Sequence, residues 1–144
     1  MALVEKSVLV AYSARQMFDL VDGIERYPEF LPWCGRTEVA RRDEAAVVAT
    51  LHIDYHHVKH SFTTANSRQV PGLIEMRLEE GPFRHLEGSW RFVELAADAS
   101  KVEFRLHYEF ASRTLETLVS PVFSVIAGTL LEAFVERAEK IYGG

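Results

Sequence analysis

One stretch near the C-terminus, from about Thr114 to Tyr142, constrains the fold more than any other part of the chain. Leu115, Leu118, Val119, Val122, Phe123, Ile126, Leu130, Phe134, Val135, Ala138 and Ile141 recur there at steps of three and four. That is the period of one helical face. No charge occurs between Leu118 and Leu131, while Glu132, Glu136, Arg137, Glu139 and Lys140 crowd into the second half. A helix of this length runs roughly 40 Å, the span of a small domain. Such a rod cannot bury its own apolar face and needs a large surface wrapped around it. Ser120, Pro121, Ser124, Gly128 and Thr129 interrupt the apolar run, which falls short of the ~18 consecutive residues of a membrane span. The stretch therefore reads as a helix held by a sheet.

Pro121 lacks an N–H and belongs in a first turn. The helix is thus expected either to start at Ser120 as N-cap or to meet a shorter turn from Thr114 at a kink. Gly128 costs about 1 kcal/mol relative to Ala inside a helix. Two readings account for it: close packing of helix on sheet, the more economical one, or room left for a ligand. Gly143 and Gly144 close the segment.

The rest of the chain supplies the sheet. Ala2 to Tyr12 is β-rich, with Val4, Val8 and Val10 on one face and Glu5, Ser7 and Leu9 on the other. Ser13 is set to cap a short helix, Ala14 to Val21, and a helical turn covers Ile24 to Phe30. Six strand-like segments follow: Arg36–Arg42, Ala45–His56, Val58–Arg68, Gly72–Glu80, Phe83–Leu95 and Lys101–Ser112. The last alternates strictly, Val102, Phe104, Leu106, Tyr108 and Phe110 against Glu103, Arg105, His107 and Glu109. One face of that strand is buried and the other wet. Short breaks between neighbours mean an antiparallel meander. The expected fold is α+β: a curved sheet of about seven strands gripping the long helix, with two short helices after the first strand. All 144 residues form one domain.

With 21 acidic and 16 basic residues the net charge is −5, which disfavours a general nucleic-acid binder and specific DNA recognition. The single cysteine, Cys34, excludes an internal disulfide, and the opening residues carry no secretory signal, so a cytoplasmic setting is expected. His52, Asp54 and His56 share one strand face with metal-ligand spacing. The opposite face carries Leu51, Ile53 and Tyr55, so a solvated face explains the three polar residues more economically, and no metal is expected. Glu79 and Glu80 point to opposite faces and cannot pair. Cys34 has no identifiable base. No catalytic residues are assigned.

The loop Tyr27-Pro28-Glu29-Phe30-Leu31-Pro32-Trp33-Cys34 reads equally as a plug for one end of the barrel and as a gate or membrane-touching tip. Together with Gly81-Pro82-Phe83, the strand Leu86 to Phe92 and the ending Ala133 to Gly143, it resembles one group of START-like proteins. These are the coenzyme-Q-binding and ribosome-association-toxin group of the polyketide cyclase/lipid transport superfamily, and the resemblance spans essentially the whole chain. It implies a helix-grip fold, a hydrophobic cavity, and neither cofactor nor metal. Members are linked to ubiquinone binding and respiration, and some bacterial members to a block on joining of the ribosomal subunits.

The leading expectation is a binding protein for ubiquinone or a related isoprenoid lipid, acting as a carrier that supports respiration. Phe30 and Trp33 would stand at the mouth, with Leu51, Ile53, Met76, Trp90, Phe92, Phe104, Phe123 and Leu130 lining a tunnel for the tail. A tunnel already filled by these side chains would count against it. Expected partners are that hydrophobic small molecule, a transient contact with the inner face of the membrane, and, on the rival reading, the large ribosomal subunit. Arg36, Arg41 and Arg42 form the tight basic cluster that the rival would use. A third reading, an aromatic polyketide cyclase, requires His85, His107 or Arg105 to point inward, against the alternation.

Overall fold

The computed structural model describes residues 2–143. Seven strands form one antiparallel sheet: β1 (Ala2–Val10), β2 (Cys34–Arg42), β3 (Ala46–Tyr55), β4 (Val58–Gln69), β5 (Leu73–Glu80), β6 (Phe83–Ala96) and β7 (Ala99–Phe110). Their spatial order is β1-β7-β6-β5-β4-β3-β2, so the meander places its first and last strands at the far side from β2, and β1 pairs along the whole of β7. Between β1 and β2 lie α1 (Ala14–Asp22) and a 3₁₀ helix (Ile24–Glu29). The chain closes with α2 (Arg113–Tyr142). The α+β helix-grip expected from the patterning is the fold observed.

Local chemistry explains the element borders. Ser13 accepts from the Gln16 backbone N–H while the Gln16 side chain accepts from the Ser13 N–H, a reciprocal box that starts α1. His56 and His57 both take the left-handed conformation, φ +48° and +67°, and form the two-residue turn between β3 and β4. At Gly88 the sheet approaches itself so closely that an added Cβ would lie 2.6 Å from the Arg105 carbonyl oxygen.

The α2 helix differs from expectation at two points. It begins at Arg113 with Ser112 as N-cap, whose Oγ accepts from the Leu115 N–H at 3.1 Å; Ser120 is not the cap, and Pro121 lies inside the helix. Pro121 faces solvent, so the carbonyl it leaves without a helical donor remains open to water. At Gly128 an added Cβ would meet nothing within 4 Å. The close-packing reading of that glycine is therefore wrong, and open space lies beside it. By length and composition α2 would pass for a membrane span, its most apolar window having a mean hydropathy of 1.9. Here Val119, Val122, Phe123, Ile126, Ala127, Leu131, Phe134 and Ala138 are buried against the sheet, while Leu118 and Val125 are exposed.

Polar ties hold the helix in register. Lys6 of β1 donates to the Gly128 carbonyl and to Glu132 Oε1 at 2.9 Å. Arg137 reaches Glu29 at 2.6 Å and lies 4.9 Å over the Phe30 ring. At the end of α1, Asp22 sits where a carboxylate opposes the helix dipole. It is held there by a two-pronged Arg68 contact, 2.8 and 2.7 Å, and by Arg42 at 3.2 Å.

Two stability outcomes follow. Gly128→Ala, free of steric cost, should stabilise the fold by about 0.5–1 kcal/mol, whereas Gly88→Ala should destabilise it by roughly 1–3 kcal/mol, both read by urea unfolding. Asp22→Ala, which strands the largely buried Arg68, should cost about 3 kcal/mol, and adding Arg68→Met should recover most of that loss.

Candidate functional site

The curved sheet and α2 do not meet everywhere. β3 presents Ala49 and Leu51, β4 presents Phe62, Thr64 and Asn66, β5 Met76, β6 Leu86 and Trp90, and β7 Phe104 and Leu106. Facing them on α2 are Phe123, Ile126, Ala127 and Leu130, and Ile24, Tyr27 and Trp33 close one side. Between them is a cavity of about 70 Å³. A cavity of about 150 Å³ is what it takes to hold a benzene ring, and a water occupies about 30 Å³ of liquid, so this space suits a few waters or one small group.

The expected site residues divide accordingly. Trp33, Leu51, Met76, Trp90, Phe104, Phe123 and Leu130 line the cavity. Phe30, Ile53 and Phe92 do not. Phe30 is half-buried and packs against Tyr27, Phe134 and Arg137 instead of standing at a mouth. Phe92 meets Phe18 edge-on at 5.6 Å, beneath α1, and Ile53 is buried beyond the lining. Face alternation assigned Ile53 and Phe92 to the inward side correctly, yet a sheet this long buries more of that side than one cavity uses; Phe30, on a loop outside the strands, was misplaced at the mouth. The tunnel for a polyisoprenoid tail is absent from this conformation because aromatic side chains fill it, the outcome that counts against the expected tail-binding tunnel. Phe62, Phe83, Tyr108, Phe110 and Phe123 pack at one end, and Trp90, Phe104, Phe134 and Tyr27 at the other.

The aromatic loop turns inward. Tyr27, Leu31 and Trp33 are buried, and Pro28, Glu29 and Pro32 are its exposed residues. The Tyr27 hydroxyl donates to the Val21 carbonyl, and burial raises its pKa far above the ordinary phenol value. Burial likewise pushes the Cys34 thiol up to about 11. Cys34 is thus a small buried residue and a poor nucleophile at neutral pH.

Sequence reasoning missed the polar part of the lining. Thr64 and Asn66 are 7% exposed each, and the Thr64 hydroxyl donates to Asn66 Oδ1 at 2.9 Å. The signal was present: on the inward row of β4, Phe62 is followed by a threonine and an asparagine where the neighbouring strands carry apolar residues. No carboxylate, imidazole, amine or thiol stands among the described lining residues.

The other charged groups face away. Glu38 takes His52 at 2.7 Å, and His56 serves the turn, so His52, Asp54 and His56 do not converge. His85, Glu87 and His107 do converge, with ligand atoms within 4.8 Å of one another, but on the outer face of β6 and β7. Arg105, also outward, approaches Glu5 at 3.9 Å. The inward polar set that a cyclase reading required of His85, His107 and Arg105 is not formed. Arg36, Arg41 and Arg42 are each matched by a carboxylate, Glu38, Asp43 and the Asp22–Glu25 pair respectively, so the cluster presents little net positive field.

This architecture is that of a START-like protein, a helix gripped by a sheet over an apolar interior. Residues 10–135 match the family model for polyketide cyclase/dehydrase and lipid transport, and the chain belongs to that family. It is 40% identical over 141 residues to the ribosome association toxin RatA of Pseudomonas aeruginosa, covering 97% of each chain. Against RatA of Vibrio cholerae it is 41% identical over 144 residues, covering 99% of each. The mitochondrial coenzyme Q-binding protein COQ10 homolog B of Xenopus laevis is 28% identical; 96% of this chain aligns to 58% of that one. Among solved structures, an 18 kDa protein of Caulobacter crescentus is 29% identical with a TM-score of 0.75, each chain fully covered. The Zhui aromatase/cyclase of Streptomyces sp. R1128 superposes with a TM-score of 0.83 over 99% of this chain and 98% of its own, at 17% identity, a likeness of fold alone.

The buried thiol allows a direct check of the packing at the start of β2, beside the aromatic loop. Cys34 should resist a disulfide reagent at pH 8 in the native protein and react at the rate of a free thiol once unfolded in urea.

Proposed function

We propose that this protein is a binding protein that encloses a small apolar molecule, of quinone or isoprenoid type, between its sheet and α2. The observation that carries this reading is the cavity itself: a wall of aromatic and aliphatic side chains, free of titratable groups other than the sealed Tyr27, with one neutral polar pair. Such a lining binds by burial and lacks the acid and base that turnover would need. Support also comes from the relationship to a protein named for binding coenzyme Q.

At about 70 Å³ the space is closed, so a ring or a prenyl unit enters only if the lining yields. The half-buried, flexible Leu51, Met76 and Leu130 are the lining side chains able to move. Each CH₂ then buried contributes about 0.8 kcal/mol, so one or two prenyl units give useful affinity. A long tail is not accommodated without a larger opening of α2 from the sheet.

A second reading is favoured by the names of the relatives with 40–41% identity: inhibition of ribosomal subunit association. The paired arginines of β2 give it no evident basic surface, and burial of a ligand is not part of it. One preparation separates the two. The protein purified from its own host is extracted with organic solvent, and the same lysate is fractionated on a sucrose gradient. Ligand binding predicts a stoichiometric quinone or isoprenoid in the extract, lost in Ala49→Leu, whose added carbons fill the cavity. An empty protein that sediments with the large subunit and depletes joined ribosomes on overexpression would overturn it in favour of the second reading.

A further inference from the structure

We infer that Asn66, oriented by Thr64, is the head-group site of the cavity and donates a hydrogen bond to a carbonyl oxygen of the bound molecule. This rests on the ligand-binding reading above and names the chemistry that the ligand must carry.

The inward row of β4 reads Phe62, Thr64, Asn66, and Asn66 stands opposite the fully buried Val47 on β3 and Met76 on β5. Asn66 also borders an open polar groove on the outer face, together with Glu75, Arg77, Glu87 and Arg105. Its place in the inward row, opposite Val47, assigns its side chain to the cavity. The Thr64 hydroxyl occupies Oδ1 at 2.9 Å, which fixes the amide so that its nitrogen is the edge left over. That nitrogen carries two N–H donors. Neither meets a protein acceptor among the described residues, although the residue as a whole is 7% exposed. It is not sealed either, since no enclosed side-chain nitrogen or oxygen lacks a partner among the described residues. Its donors therefore look onto the open space.

An unmatched amide in an apolar box costs the protein folding free energy, and only a hydrogen-bond acceptor returns it. A hydrocarbon entering the cavity would strip water from the amide and offer nothing in exchange. A carbonyl-bearing ligand replaces the water bond for bond. Gly88 assists, because any side chain there would collide with Met76 Cε and Leu106 Cδ1 at 3.0 Å, so it keeps the wall beside Asn66 thin. The ligand class that fits is an uncharged, largely apolar molecule with a carbonyl oxygen at one end, as in a quinone.

Duroquinone and durene, which share four ring methyl groups and differ in the two carbonyl oxygens, provide the test. Equilibrium dialysis gives the ratio of their affinities for the wild type, Asn66→Leu and Thr64→Val. The ratio in favour of duroquinone should fall about three- to tenfold in Asn66→Leu, and by less in Thr64→Val, where the amide loses its orientation but keeps its donors. In the wild type the Asn66 side-chain ¹⁵N–H resonances should shift with duroquinone and not with durene. Asn66→Ala, which removes both donors with a smaller apolar side chain, replaces the leucine variant should that fail to fold. An unchanged ratio in a folded Asn66 variant overturns the head-group assignment while leaving ligand binding intact. If neither compound binds the wild type, the ligand-binding reading falls, and this inference with it.

Discussion

The burial of one face of α2 in the concavity of the sheet is the interaction on which the rest of the structure depends. A 30-residue helix with no charge between Leu118 and Leu131 has no stable existence in water, and a seven-stranded sheet with one apolar face has none either. Each supplies the surface the other needs. The sheet's right-handed twist and curl bring β1, β7 and β4 against the helix, and the ties from Lys6 and from the Glu29–Arg137 pair hold the helix at one register. Because the sheet is longer than the cavity, most of the interface is ordinary core. The site is the fraction where curvature outruns the side chains.

That origin gives the cavity its character. A space left between two apolar layers is apolar by construction, so anything polar in it is conspicuous. Thr64 and Asn66 interrupt a row that packing alone would fill with aliphatic residues, and they satisfy each other only in part. Charged groups, by contrast, are missing from the described cavity lining, and several pair with one another away from it, as Arg68 does with Asp22. The same division that makes the sheet stable therefore makes the interior suited to binding and unsuited to proton transfer. The relatives differ in what their names say they do.

The architecture was legible in the order of the segments. Strict alternation in β7, the turn residues between strands, and the period of α2 led to a single arrangement, and strand borders came within two residues. The inward face was legible as well, since Leu51, Met76, Trp90, Phe104 and Phe123 all line the cavity. Alternation could not say which inward residues flank empty space and which, like Ile53 and Phe92, meet another side chain. It also could not place Phe30, which sits on a loop without a period, or the start of α2, where an exposed proline proved compatible with a continuous helix.

By itself the sequence determined the fold class, the two faces of every strand and the helix that must fill the concavity, because hydrophobic period and turn chemistry are local properties. Only the tertiary structure decided how much room remains. Cavity volume is a small difference between the space that a curved sheet encloses and the bulk of the side chains that enter it. Here Phe62, Trp90, Phe104 and Phe123, drawn from four separate elements, consume nearly all of that space. The same convergence leaves Thr64 and Asn66, the two buried polar side chains of the described lining, beside what is left.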